Sequence, residues 1–229
     1  ALDKLKIGDR IATPRAHAPL SAPNPLADDE LILLAHLLGD GCVLPRQPIH
    51  YTSADPENLH AVAETAKRLF GIAARTVPQK NWWHVYLPSP RRLARGTHHP
   101  ITDWFASLGI ERVRSYEKRL PERIFEMSNE KIALFLHHLW ATDGNVSWKR
   151  IPNRKPAGAI YYSSTSAALI HGVQHLLLRL GIPATIRSSR KGNYRLSYLL
   201  HIEGSAPQLQ FLTSVGCFGR RGEIIPELV

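Results

Sequence analysis

A chain of 229 residues, 44% apolar and 21% charged, has the makings of one large globular domain or two ordinary ones with a sizeable core. Lys and Arg outnumber Asp and Glu 29 to 19, a formal charge of +10, so a polyanion such as nucleic acid or a membrane surface is the expected partner. Two cysteines, Cys42 and Cys217, argue against a disulfide framework or a zinc site and fit a reducing cytosol; no apolar run reaches the ~18 residues of a membrane span.

Residues 1–27 read as an N-terminal extension, short extended pieces and then a linker through Pro14, Pro19, Pro23 and Pro25. Ala1 follows no Met, so the chain reads as a piece excised from something longer. Asp28 or Asp29 can cap the next helix, whose apolar run closes on Leu38-Gly39-Asp40-Gly41. A helix apolar on nearly every face must be buried, and the Gly after it is a stop signal. Asp40 is thereby delivered to a helix C-terminus, where the dipole disfavours negative charge. A nearby cation would resolve that conflict, and a divalent metal is the simplest.

Residues 49–53 alternate like a half-buried strand, and a helix follows with apolar Leu59, Val62, Ala63, Ala66, Leu69 and Phe70. A two-strand segment over 74–87 turns at Lys80-Asn81, residues 88–100 form a basic loop, and a further helix covers 101–109. Residues 110–127 join this unit to a second one, in which Ser128 caps a helix ending Ala141-Thr142-Asp143-Gly144. A strand over 159–163, a helix with Leu169, Val173, Leu176 and Leu177, two strands over 184–202 and a helix over 207–216 repeat the order at an offset of 110 residues. The second unit differs in a longer basic hairpin, from Trp148-Lys149-Arg150 to Arg154-Lys155. The resulting division is 1–27, 28–127 and 128–229.

Paired helices closing on Asp-Gly, each followed by this order of strands and helices, resemble the LAGLIDADG homing endonucleases, specifically a single-chain member carried in an intein, such as those of bacterial replicative helicases. The resemblance covers residues 28–226. It implies an α+β, pseudo-two-fold duplicated fold with two saddle-shaped antiparallel sheets and the motif helices packed at the dyad. Ala35 and Gly39 supply the small residues of that contact. His137 and His138 stand where small residues are usual, so the second helix must either rotate or direct an imidazole into a hydrogen bond. Residues 1–20 resemble a splicing-domain segment, but no N-terminal nucleophile or terminal His-Asn is present, and splicing is not expected.

The resemblance further implies a metal-dependent double-strand break with short 3′ overhangs in a long, non-palindromic site. Asp40 and Asp143 would hold Mg2+, with the carbonyls of Gly39 and Thr142 as extra ligands; Mn2+ would substitute, and Ca2+ would bind without supporting cleavage. Lys118, three residues before Pro121, matches the family's active-site lysine, against the alternative of a solvated surface lysine. Its counterpart in the second half is Glu223, leaving Arg220 or Arg221 to take its place. Asp55 and Thr165 match a water-positioning polar residue and equally suit helix N-caps.

Strand alternation then sorts the DNA-facing side chains: His50, Thr52, Arg75, Gln79 and His84 in the first half, Tyr162, Arg187, Ser189 and Arg195 in the second. The tips Arg46-Gln47, Lys80, Lys149-Arg150, Arg154-Lys155 and Arg190-Lys191 would reach bases or phosphates. Trp82-Trp83 places one indole inward. His171 and His175 have zinc-ligand spacing but no third ligand, so a polar helix face is preferred. The expected partner is double-stranded DNA, bound by a monomer in the bacterial cytosol, at the nucleoid during action. A relative that has lost cleavage and serves as a DNA-binding regulator or RNA maturase is the competing class.

Overall fold

The computed structural model describes Lys4, Lys6 and residues 24–229 apart from Ile151 and Arg154. The expectations for the first 23 residues, and for Arg154 as a DNA contact, fall outside it.

The chain runs α1 (Asp28–Gly39), β1 (Gly41–Cys42), β2 (His50–Ser53), α2 (Pro56–Phe70), β3 (Arg75–Pro78), β4 (Trp83–Tyr86) and α3 (Pro100–Ser107). After short helical turns at Ser115–Glu117 and Glu122–Glu126 it repeats that order. The second series is α4 (Asn129–Asp143), β5 (Gly144–Lys149), β6 (Ala157–Ser164), α5 (Ala167–Arg179), β7 (Thr185–Ser189), β8 (Ser197–Ile202) and α6 (Ser205–Ser214), closed by α7 (Ile225–Leu228). Two antiparallel four-stranded sheets result, ordered β1-β2-β4-β3 and β5-β6-β8-β7.

The motif helices pack against each other in the middle of the molecule. Every residue of α1 from Leu33 to Leu38 is buried, His36 included, so the helix presents no outer face. Each such leucine contributes about 2 kcal/mol of burial, far more than helix propensity could. Where α1 and α4 converge, a Cβ on Gly39 would overlap the Thr142 side chain, so the contact tolerates no side chain there. The start of α1 departs from expectation: Ala27 occupies the cap, its N–H donates to Glu30 Oε2, and Asp28 and Asp29 lie inside the first turn. Both remain useful, since Asp28 pairs with Lys131 of α4 and Asp29 takes a two-pronged hydrogen bond from Arg68. Ser128 caps α4 through the Lys131 N–H.

The glycines after the motif acids do a different job from a left-handed stop. Gly41 and Gly144 keep negative φ and open β1 and β5. Each strand folds straight back over its own helix; a Cβ on Gly41 would stand 2.5 Å from the Leu37 Cα, and one on Gly144 would strike the Trp140 carbonyl. Glycine is needed for this close approach.

The pairing register corrects the repeat. Gly41 pairs with Tyr51 and Gly144 with Tyr162, so the true offset in this strand is 111, not 110. A one-residue slip turns every side chain to the other face. Tyr162, expected on the DNA side, is instead fully buried against Trp140, whose indole also meets Phe211, as Tyr51 is buried against His36. The outward positions of β6 are Tyr161 and Ser163. Because α5 is shorter than α2, the 110 offset returns at Gly71 and Gly181, which hid the slip. Among the described residues no helix is long and apolar enough to cross a membrane.

Candidate active site

The buried helices deliver Asp40 and Asp143 to one place. Asp40 caps α1, and Asp143 is the last residue of α4. Burial, and next the negative charge of Asp143, push the Asp40 carboxyl up to about 7, while Arg221 and Lys118 pull it back. Asp143 opens more to solvent, yet the protein packed behind it also raises its pKa, against the same two cations. Two crowded carboxylates with incomplete counter-charge suit a hard divalent cation. Among the described residues no third Asp, Glu, His or Cys joins them. Their donor set therefore fits an ion that keeps water or substrate oxygens in its shell.

Lys118 lies half-buried against the end of α1. Its Nζ donates to the carbonyls of Leu37, Leu38, Gly39 and Gly41 at 2.9–3.2 Å, neutralising the negative end of the helix. Burial lowers its pKa, and Asp40 and Asp143 oppose that shift. The Gly39 carbonyl, expected as a cation ligand, already accepts from this ammonium. Thr142 is buried with its hydroxyl donating to the Leu139 carbonyl.

In the second half the corresponding task falls to Arg221, whose Nη1 donates to the Ala141 carbonyl at 3.0 Å. Among the described residues the Arg220 side chain has no such carbonyl partner; its backbone N–H donates to Asp55 Oδ2 at 2.8 Å. Asp55 also accepts from Glu57 N–H as the cap of α2. Thr165 borders the Asp143 cleft but does not cap α5: Ser166 does, and its hydroxyl also donates to the Lys118 carbonyl at 2.5 Å. Sequence reasoning missed Ser166 because the 110 offset set Thr165 opposite Asp55; the 111 register would have found it.

Each acid faces its own cleft. Asp40 opens onto 430 Å³ lined by Ser53, Asp55, Asn58 and Arg221, and Asp143 onto 260 Å³ lined by Lys118, Ser115, Ser163 and Thr165. Cation and acid in each cleft come from opposite halves of the chain.

The outward sheet faces differ in chemistry. On the first, His50, His84, Tyr86 and Trp82 stack in an aromatic group with ring centroids 4.7–5.6 Å apart, Thr52 hydrogen-bonds His84, and Arg75 lies over Tyr86. On the second, Tyr161 meets His201 and Arg187 pairs with Glu203, beside exposed Ser189. Arg46, Gln47, Gln79, Lys80, Lys149, Arg150, Lys155, Arg190 and Lys191 are exposed, and Arg195 lies over the Tyr116 ring. His201 is an outward residue the sequence reading omitted. His171 and His175 are exposed on α5, with no third ligand beside them among the described residues.

Comparison with known proteins agrees with this geometry. Residues 130–216 match the LAGLIDADG-like domain. The replicative DNA helicase DnaB of Rhodothermus marinus is 42% identical over 223 residues, covering 96% of this chain and 23% of the helicase. The chain spans about a quarter of the length of the curated helicases it matches. Among solved structures, the homing endonuclease I-DmoI in complex with DNA and Mn superposes with a TM-score of 0.55 at 16% identity, over 82% of this chain and 96% of that one. The N-terminal LAGLIDADG domain of DUF199/WhiA superposes with a TM-score of 0.52 at 12% identity, over 89% of each chain.

Proposed function

We propose, from the premise that this chain is a LAGLIDADG-type protein with the duplicated homing-endonuclease fold, that it is a monomeric, site-specific DNA endonuclease borne by an intein of a cytosolic replicative helicase. It cuts both strands of a long, non-palindromic site, uses Mg2+ or Mn2+, and leaves short 3′ overhangs. The carrying observation is the convergence of Asp40 and Asp143 at the shared end of two buried helices, close enough for one charge to raise the other's pKa. Structures of I-DmoI with DNA and Ca or Mn support divalent-cation use by the fold.

A cation held by Asp40 and Asp143 would supply activated water and offset charge at phosphate. The chain's own residues do the rest. Asp40 and Asp143 must be ionised to hold it, so protons compete with the cation and cleavage falls on acidification. Lys118 and Arg221 fix the two helix ends and set positive charge beside each cleft, facing the charge that develops on phosphate. The outward sheet faces and the basic hairpin tips hold the duplex, so binding weakens steeply with salt.

The test is linearisation of a supercoiled plasmid carrying the uninterrupted helicase gene sequence, in Mg2+ and in EDTA. Linear product with Mg2+ alone is expected, and D40N and D143N should bind the site without cutting. Tight binding by the unaltered chain with no cutting in Mg2+ or Mn2+ would move it to the DNA-binding class.

A further inference from the structure

We infer that the loop over residues 88–99, together with the hairpin tip at Arg46, forms a second phosphate-binding surface that grips duplex DNA beyond the outer end of the first half-site. This rests on the DNA-binding reading above and adds a contact that the duplicated fold does not require.

The loop belongs to one half only. β4 ends at Tyr86 and α3 begins at Pro100, whereas β8 ends at Ile202 and α6 begins at Ser205. It is built, not slack: Ala94 bridges Thr97, His99 donates to the Leu87 carbonyl and caps α3, and Arg91 with His98 clasps Asp103. Of the three arginines in the loop, that clasp uses only Arg91. Arg92 and Arg95 are exposed with no ionic or hydrogen-bond partner among the described residues, and Leu93 stands 53% exposed between them.

Between loop and sheet lies a cleft of 710 Å³, lined by Arg46, Arg75, Tyr86, Leu93 and His98. Its place along the strands identifies its direction. β2 begins at His50, next to Ile49 in the lining of this cleft, and ends at Ser53 in the Asp40 cleft. The cleft therefore continues the outward face of the first sheet away from the acids, in the direction a bound duplex would leave. Arg46 adds an independent sign. It holds φ 61, a left-handed conformation that its Cβ disfavours and that is cheap for Gly or Asn, and the tip of the second half has Asn153 at φ 62. The second half has instead the longer basic hairpin with Lys149, Arg150 and Lys155. Each half thus has one distal cationic device, made differently, and phosphate is the chemistry both would meet.

The test uses duplexes selected for cleavage from a random library, one with long flanks and one trimmed at the outer end of the first half-site. On the long duplex, R92A/R95A should raise Kd on the order of tenfold and reduce the slope of log K against log salt by about 2. On the trimmed duplex it should bind like the unaltered protein, and hydroxyl-radical footprints should lose protection at that end alone. Equal Kd, slope and footprint for both proteins on the long duplex would overturn the inference while leaving the endonuclease reading intact. Failure of the unaltered protein to bind any selected duplex would instead remove the reading on which it rests.

Discussion

His36 and His138 meet across the seam between α1 and α4, Nε2 to Nδ1 at 3.2 Å, and the other nitrogen of His36 reaches the Tyr51 hydroxyl at 3.1 Å. Of the two outcomes open to a motif helix carrying imidazoles in place of small residues, hydrogen bonding is the one observed. His137 completes it by meeting the Val215 carbonyl at 2.8 Å. Each neutral imidazole has one N–H, so the Tyr51–His36–His138 chain is satisfied only with its donors running in one direction.

That chain makes the seam sensitive to acid. Burial, then His138 and His137, hold His36 well below the usual imidazole range, and burial with His137 lowers His138 to about 3. A folded-state pKa below the unfolded one means stability that is full above pH 6.5 and is lost as pH falls toward the lowered value. H138A should cost about 2–4 kcal/mol at pH 7, through a cavity and an unpaired His36 nitrogen. By pH 5 the gap to the unaltered protein should shrink by about 2 kcal/mol, since the variant has lost one group that resists protonation. Urea midpoints at the two pH values measure this; an unchanging gap would speak against the assignment.

Asp40 has the opposite sign. Its folded pKa of about 7 exceeds the ordinary 3.8, so the stability it contributes is present below 3.8 and disappears as pH rises through 7. In EDTA at pH 8, D40N should be more stable than the unaltered chain by about 1–3 kcal/mol, solvent screening of this half-buried acid keeping the figure below the full shift. Near pH 4 the two should match. Mg2+ should raise the Tm of the unaltered protein at pH 8 and not that of D40N/D143N.

How much of this was readable from the residues divides by the physics involved. Burial of α1, the Asp-Gly ends and the order of elements follow from local patterns, and the folded chain has them. What failed was register. Identical Tyr, Ser and Gly matches at 110 outweighed the one-residue shift that puts Tyr162 opposite Gly144, because nothing local distinguishes a strand's inner face when both faces hold aromatics. Ser166 was lost with it, and Lys118's four carbonyl partners depend on a chain crossing that no spacing reports.

Tyr162 gives that correction a measurable form. Its hydroxyl is buried with no hydrogen bond of good geometry among the described residues, and burial followed by Asp143 drives its pKa far above the usual phenol range, eased by the neighbouring Thr142. Y162F should therefore be neutral or stabilising by up to ~1 kcal/mol, and Y162A should cost about 3–5 kcal/mol. Neither should change the salt slope of DNA binding. A fall in DNA affinity for Y162F with unchanged stability would return the residue to the groove side.

Gly39 tests the convergence of the helices. A methyl group there has nowhere to go but into Thr142, so G39A should destabilise by about 2–3 kcal/mol or more, and T142A should recover part of the loss in the double variant. Chemical denaturation of the four proteins gives the coupling. Strict additivity would mean that the two residues do not touch.

The two clefts differ most in their cations, and this should appear strand by strand. Lys118 serves the Asp143 cleft with an ammonium whose pKa burial lowers; Arg221 stands beside Asp40 with a planar guanidinium. Both acids feel both cations, and losing either should weaken the cleft it lines more than the other. K118M should slow cutting at one phosphate by about 10²-fold or more and R221M should slow the other, so each variant accumulates nicked circles with the break in the opposite strand. Only the cut supported by Lys118 can change with the ammonium's own ionisation, which would make the two strands diverge as pH rises. Sequencing across the nick in each variant decides it: equal loss on both strands would mean that the cations act on a single shared site.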